Sequence, residues 1–253
     1  MPKPQFLATK EGRRIAYHQT PGQGPGVVFL GGLRSDMTGA KALYLENWAQ
    51  ARGQAFLRFD YSGHGQSSGR FEDGAIGDWL ADAVAAFGLT NGPQILVGSS
   101  MGGWIALLLA RAMLERVAGF VGVAAAPDFT EDGIWAGLTP QQRTRLWADG
   151  TIALPSDYST GPTPISRRMI EDGRMHLVLA KPLALPFPTR LLQGTADIDV
   201  PPSVALALLG HAKGDDIQLT LVKDADHRFS TPKCLALIGA ALSDILAQEP
   251  RNA

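Results

Sequence analysis

The chain has 253 residues, a formal net charge of −1 and a hydrophobic content of 45%. This length fits one core with a modest insertion, and the near-neutral charge argues against nucleic acid or an anionic membrane as the main partner. Cys234 is the only cysteine, so no intramolecular disulfide can form. The N-terminus lacks the apolar region of a secretory signal, and no apolar stretch is long enough to span a bilayer. We therefore expect a cytoplasmic protein without integral membrane contact; the oligomeric state stays open.

Strand patterns alternate with helical patterns along most of the chain. The strands are predicted at residues 14–18, 27–30, 55–59, 94–97, 117–123, 189–193 and 217–222. The helices are predicted at residues 40–52, 79–87, 103–110 and 232–246. Several strands are continuous apolar runs, which is typical of strands covered on both faces. The alternation predicts an α/β fold with a mostly parallel central sheet covered by helices on both faces.

The predicted strand at 94–97 leads into Gly98-Ser99-Ser100-Met101-Gly102, and a helical pattern follows directly. A G-x-S-x-G sequence between a strand and a helix is typical of a nucleophile elbow. Glycines on both sides of the serine allow a sharp turn, which lifts the Ser100 hydroxyl above the sheet. The pentapeptide alone is a weak signal, but its place between strand and helix predicts Ser100 as a nucleophile.

Residues 127–185 break the alternation. They mix acidic residues and prolines with helical fragments at 140–147 and 165–178. An insertion after the strand at 117–123 would lie over the carboxyl ends of the strands, where ligands bind in open α/β sheets. We predict a small lid at 127–185 and a core formed by residues 1–126 and 186–253.

A serine nucleophile needs a neighbouring base, and the base needs an orienting carboxylate. Asp197 and Asp199 both follow the predicted strand at 189–193. We favour Asp197, because Asp199 lies closer to the start of the next helix, where an acidic side chain has a structural role.

The base is predicted from its place after a strand. His227 follows the strand at 217–222, at the edge of the sheet that carries Ser100. His64, in a loop at the carboxyl end of another strand, is the alternative base. The order serine, aspartate, histidine along the chain favours the triad Ser100, Asp197 and His227.

A developing oxyanion needs two fixed donors, which are usually backbone N–H groups. One donor is predicted at Met101, directly after the nucleophile. The other is predicted at Leu33, in the loop Gly31-Gly32-Leu33 that follows the strand at 27–30. The glycines of this loop allow its backbone to approach the serine closely.

With these motifs the chain resembles the α/β-hydrolases over nearly its whole length. Residues 60–67 also resemble the D-x-x-G-x-G-x-S loop of that family. Longer strings are similar to the mitochondrial abhydrolase-domain protein 10 group: residues 58–63, 92–100, 102–104 and 226–228. That resemblance implies palmitoyl-protein thioesterase or acyl-glucuronide esterase activity, and the lack of a transit-like N-terminus suggests a bacterial relative. Gly31 stands where many family members have the histidine of an H-G motif.

A serine at the elbow disfavours the dehalogenases and epoxide hydrolases that use an aspartate nucleophile. No H-E-x-x-H or paired-cysteine motif is present, so we expect neither a metal nor a cofactor. The implied chemistry is acyl transfer: hydrolysis of a small-molecule ester or thioester, or of an acylated protein. Amide hydrolysis and acyl transfer to another acceptor are alternatives on the same triad, and a non-catalytic small-molecule binder is the alternative of another class.

The lid supplies candidate substrate contacts. Phe129, Trp135 and Trp147 are the predicted substrate-binding residues, and Ile134, Tyr158 and Met169 are further lid candidates. An apolar acyl pocket would use such side chains, although side chains of this kind more often belong to the lid's own core.

Overall fold

The computed structural model describes residues 3–155 and 161–248, and an eight-stranded sheet runs through its centre. The strands of this sheet are β1 (Gln5–Ala8), β2 (Arg14–Thr20), β3 (Gln23–Leu30), β4 (Gln54–Phe59), β5 (Gln94–Ser99), β6 (Val117–Val123), β9 (Thr189–Gly194) and β10 (Ile217–Val222). A separate hairpin joins β7 (Thr151–Leu154) to β8 (Thr163–Ser166).

The strand order of the sheet is β1-β2-β4-β3-β5-β6-β9-β10. From β4 to β10 all neighbouring strands are parallel, whereas β2 is antiparallel to both β1 and β4. The central strands β5, β6 and β9 are buried along their whole length. Because these strands are parallel, their carboxyl ends meet at one edge of the sheet, and the loops that follow them can converge there.

Seven helices complete the described part of the chain: α1 (Ala40–Gln50), α2 (Ile76–Phe87), α3 (Met101–Ala112), α4 (Pro140–Asp149), α5 (Arg167–Met175), α6 (Pro202–His211) and α7 (Pro232–Gln248). The apolar sides of α1 and α7 share one hydrophobic cluster, and those of α2, α3 and α6 share another, so helices cover both faces of the sheet. No helix among residues 3–155 and 161–248 is long and apolar enough to cross a membrane.

The α/β architecture predicted from the sequence is confirmed. The predicted strands and core helices are present, with most boundaries within a few residues, and β1 is the strand of the central sheet that the sequence pattern missed. β1 has four residues, none of them buried, so no apolar alternation marks it.

The segment 127–185 contains a π-helical turn at Thr130–Trp135, then α4, the β7–β8 hairpin and α5. The helix predicted at 165–178 is wrong at both ends, because Ile165 pairs with Ile152 in the hairpin and the helix runs only from Arg167 to Met175. The Ser166 side chain accepts a hydrogen bond from the Met169 N–H and caps the helix there. Tyr158 lies outside the described residues.

Candidate active site

Ser100 occupies the turn between β5 and α3, with φ 54° and ψ −120°. A non-glycine residue in this region is strained, and such strain is held only where surrounding packing fixes the backbone. The packing is tight here: a Cβ atom on Gly102 would lie 2.1 Å from the carbonyl oxygen of Leu30, and one on Gly98 would lie 2.5 Å from that of Gly102. The two glycines therefore let β5 and α3 close around the serine.

Three side chains from different loops form a continuous hydrogen-bonded chain. The Ser100 Oγ atom lies 3.0 Å from His227 Nε2, and His227 Nδ1 lies 2.8 Å from Asp197 Oδ2. An ionised Asp197 can only accept, so Nδ1 carries the ring proton. Nε2 of the neutral imidazole is then left to accept the hydrogen bond that the serine hydroxyl donates. The structure thus brings together the three residues predicted as a triad.

Asp197 is buried and fully hydrogen-bonded. Its Oδ1 accepts the N–H groups of Asp199 and Val200 at 3.0 and 2.8 Å, and its Oδ2 accepts from Gln193 Nε2 at 2.9 Å as well as from His227. Burial raises the pKa of the carboxyl, but the hydrogen bonds from His227 and from Val200 outweigh it, so the net pKa is lowered. The carboxylate is therefore held ionised beside the imidazole.

Gln193 was not singled out from the sequence. Its side chain is fully buried at the end of β9 and donates both to Asp197 and to the carbonyl of Val200. A glutamine next to the end of a buried strand, four residues before a candidate carboxylate, is the signal that could have revealed it.

The loop after β3 lies directly against the nucleophile. A Cβ atom on Gly32 would lie 3.4 Å from both Ser100 Cβ and Ser99 O, and a turn closes where the Ser35 N–H and Oγ donate to Gly32 O. Leu33 is in this turn. Met101 is the first residue of α3, so its N–H has no partner within the helix. Both positions suit the predicted oxyanion donors.

His64, the alternative base, lies elsewhere. Its Nδ1 is 3.1 Å from the carbonyl oxygen of Ser62, and its ring packs edge-on against Tyr61, Phe71 and Trp79. Burial lowers the pKa of the His64 imidazole. This histidine belongs to an aromatic cluster, and the hydrogen-bond partner of Ser100 is His227.

Asp199 is exposed, yet its carboxylate lies in one cluster with Asp197 and His227. Ligand atoms of Asp197, Asp199 and His227 all lie within 4.8 Å of one another. Asp197 and His227 use their facing atoms to bond each other, so we assign no metal to this group.

The three predicted substrate contacts lie in two places. Phe129 packs edge-on against Trp104 of α3, with ring centroids 5.6 Å apart. Trp135 and Trp147 pack on each other at 4.9 Å, and the Arg174 guanidinium lies over both rings. These contacts place Trp135 and Trp147 in an aromatic–arginine cluster; a role in binding substrate stays a prediction.

A strained serine elbow within this sheet topology identifies the family. The model of the alpha/beta hydrolase family matches residues 27–245. The chain belongs to the alpha/beta hydrolase family. Its strand order and the position of its elbow are therefore those of a family whose members carry their active sites at the carboxyl edge of the sheet.

Within the alpha/beta hydrolases, the chain is 34% identical to the palmitoyl-protein thioesterase ABHD10, mitochondrial, of Homo sapiens, over 95% of this chain and 79% of that protein. A protein of Agrobacterium vitis S4, whose crystal structure is described as that of a hydrolase, is 40% identical to this chain. The two structures have a TM-score of 0.92 over 96% of this chain and 98% of that one. Alpha/beta hydrolase domain-containing protein 10 from mouse has a TM-score of 0.91 at 32% identity, over 98% of this chain and 99% of that one. The resemblance to the abhydrolase-domain protein 10 group is confirmed.

Proposed function

We propose that this protein is a serine hydrolase that cleaves carboxylic esters or thioesters through an acyl-Ser100 intermediate. The observation that carries the proposal is the hydrogen-bonded chain from Ser100 through His227 to Asp197. A hydroxyl becomes nucleophilic near neutral pH when a base accepts its proton and a carboxylate stabilises the resulting imidazolium. The chain of contacts provides both conditions.

Acylation begins when Ser100 Oγ attacks the carbonyl carbon of the substrate while His227 Nε2 takes the hydroxyl proton. The N–H groups of Met101 and Leu33 stabilise the oxyanion, and removal of one such donor costs about 10²–10³ in kcat in related mechanisms. The tetrahedral intermediate collapses, and the imidazolium gives its proton to the departing alkoxide or thiolate. The acyl group is then bonded to Ser100.

Deacylation repeats these steps with water as the nucleophile. His227 takes a proton from the water as it attacks the acyl-enzyme, and then returns it to Ser100 Oγ as the acid leaves. Asp197 stays ionised throughout, because its hydrogen bonds favour the charged form. No metal or cofactor takes part in any step.

The relatives support a thioester as the substrate class, and residues 127–185 offer candidate contacts for the acyl group. Five curated relatives with the name palmitoyl-protein thioesterase are 33–34% identical over 95% of this chain, which supports a thioester as the favoured substrate. Phe129, Trp135 and Trp147 are the side chains we assign to the acyl chain. An acylated protein or a small acyl thioester would both present this group.

The test is kcat/KM for matched oxygen esters and thioesters with acyl chains from acetyl to palmitoyl. We expect a preference for long-chain thioesters, lost in Ser100→Ala and kept in Ser243→Ala, an exposed serine of α7. A preference for short oxygen esters would make the protein a carboxylesterase and overturn the thioester assignment.

Labelling by a fluorophosphonate separates the hydrolase from a non-catalytic binder. An activated serine reacts covalently with the probe, so we expect one label on wild-type protein and none on Ser100→Ala. Absence of labelling, together with no turnover of any ester or thioester in the series, would contradict the proposal.

A further inference from the structure

The loop that carries His227 depends on contacts from other elements for its shape. It connects β10 to α7, and two of its residues, Asp224 (φ 61°) and Phe229 (φ 48°), have left-handed backbone conformations. Each such non-glycine residue is strained and persists only where neighbouring groups fix it. The position of the imidazole is therefore set by whatever holds this loop.

The part of the loop before His227 is fixed by the segment after β9. The N–H of Asp224 donates to Thr195 Oγ1 at 2.9 Å, and the N–H of Ala196 donates to the carbonyl of Ala225 at 3.0 Å. These contacts join the two loops that supply Asp197 and His227, so acid and base are held in register on this side.

The part after His227 is held from within and from α1. The N–H of Phe229 donates to Asp226 Oδ1 at 3.1 Å, and the Phe229 side chain is fully buried. The carbonyl of Arg228, the residue directly after the base, accepts hydrogen bonds from Ser230 Oγ within the loop and from Lys41 Nζ of α1. Lys41 thus joins a helix on one face of the sheet to the peptide that follows His227.

Lys41 has no other role in the chemistry described above. Its side chain is half-buried at the start of α1, where the ammonium faces Asp226 and Arg228 of the loop and Cys234 of α7. Burial lowers the pKa of Lys41 to about 8, and Arg228 adds to this effect, while Asp226 and Cys234 oppose it. At pH 7 the group is mainly protonated, so its bond to the carbonyl is charge-assisted and stronger than a neutral one.

We propose that Lys41 is a positioning residue that holds His227 in hydrogen-bonding register with Ser100 and Asp197 by fixing the carbonyl of Arg228. The inference rests on the proposed hydrolase function for its kinetic consequences. A displacement of about 1 Å in a catalytic group can cost about 10² in rate, so a single hydrogen bond to the next peptide has a large effect on turnover.

The test compares Lys41→Met, which keeps the length of the side chain without its donor, with Lys41→Arg, which restores a cationic donor. Lys233→Met, on the exposed first turn of α7, is the matched control. We expect Lys41→Met to lower kcat at least about tenfold with KM changed less than about twofold, Lys41→Arg to recover most of the loss, and the control to match wild type. Thermal unfolding verifies that each variant is folded.

A second measurement does not depend on turnover. The proton on His227 Nδ1 gives a downfield NMR signal while it is hydrogen-bonded to Asp197, and the variant His227→Gln assigns it. We expect a sharp signal in wild type, loss or broadening in Lys41→Met, and recovery in Lys41→Arg. A signal unchanged in folded Lys41→Met would overturn the positioning role whatever the rates are. A wild type that turns over no ester and no thioester would instead overturn the proposed function, and the NMR comparison would still decide the role of Lys41.

Discussion

Two carboxylates lie beside His227, and single hydrogen bonds distinguish their roles. Asp197 is buried and bonds the ring at 2.8 Å, whereas Asp199 is exposed and donates its own backbone N–H to Asp197. A buried carboxylate with fixed partners holds the imidazole in one tautomer and one orientation, which an exposed side chain cannot do as well. At the scale of the residue, these contacts support Asp197, and not Asp199, as the orienting acid of the proposed mechanism.

Asp197→Asn should therefore lower kcat by about 10³–10⁴, because an amide that donates toward Nδ1 selects the wrong tautomer. Asp199→Asn, the neighbouring control, should lower it by less than about tenfold, because it leaves the bond from His227 to Asp197 in place. Steady-state kinetics on one thioester decides between them. A larger loss in Asp199→Asn than in Asp197→Asn would reverse our assignment of the two carboxylates.

At the scale of the element, the elbow depends on close approach between backbones. Gly102, in the first turn of α3, faces the end of β3 so closely that no side chain fits between them. A Cβ atom on Gly210, near the end of α6, would have no neighbouring atom within 4 Å. The same substitution at these two helical glycines therefore tests the packing of the elbow.

Gly102→Ala should lower the melting temperature by about 4–10 °C, because the added methyl group pushes against the carbonyl of Leu30. Gly210→Ala should leave it unchanged or raise it slightly, since alanine favours the helix and meets no neighbour. Differential scanning calorimetry measures both. Equal melting temperatures for the two variants would contradict the packing argument.

Ionic contacts hold β9 and β10, the strands that precede the loops of Asp197 and His227. Arg190 of β9 is nearly buried and bonds both Asp216, at the start of β10, and Asp244 of α7. The hydrogen bond from Arg190 is the main cause that lowers the pKa of Asp216. A carboxyl with a depressed pKa in the folded state adds stability above its unfolded pKa, and that stability is lost as the pH falls through the folded value.

Asp216→Asn should lower the melting temperature at pH 7 by about 2–4 °C. The difference from wild type should narrow below about pH 4, because the carboxyl of the unfolded chain takes up a proton there before the carboxyl of the folded protein does. The control is Asp215→Asn, an exposed neighbour. Thermal melts from pH 7 to pH 3 provide the test, and a difference that stays constant over this range would exclude the ion pair as its cause.

At the scale of the whole molecule, the segment 127–185 is held by hydrogen bonds within itself and by contacts with α2 of the core. The buried carboxylate of Asp128, just after β6, accepts the N–H groups of Val178 and Leu179, both at 2.8 Å. Asp128 thereby joins the beginning of the segment to its last third. On the side of α2, the Asp172 carboxylate accepts the Gly77 N–H at 2.7 Å, and Arg168 pairs with Asp78.

Asp128→Ala should destabilise the protein by about 2–4 kcal/mol, because the N–H groups of Val178, which is buried, and of Leu179, which is half-buried, lose their acceptor. Asp128→Asn keeps one acceptor oxygen and tolerates the left-handed backbone at this position (φ 57°), so its effect should be smaller. Asp132→Ala, an exposed neighbour, is the control. Limited proteolysis should cut Asp128→Ala first within residues 130–175, and cleavage at the wild-type rate would contradict the fastening role.

Local sequence patterns predicted much of the fold and the turn that carries Ser100. The alternation of short apolar strands with amphipathic helices predicted the sheet, and the sequence around Ser100 predicted the elbow, because both features depend on residues adjacent in the chain. The chain order of Ser100, Asp197 and His227 predicted which side chains meet, since loops that follow parallel strands converge at one edge of the sheet.

Only the tertiary structure decided how those residues are held. Thr195 and Lys41 reach the loop of His227 through contacts between elements distant in the chain, and no local pattern marks such contacts. The start of the helix predicted at 165–178 is wrong for the same reason. Ile165 belongs to β8, because its pairing with β7 outweighs the helical pattern of the local sequence. Local sequence fixes which backbone shapes are accessible, whereas packing between distant segments selects among them.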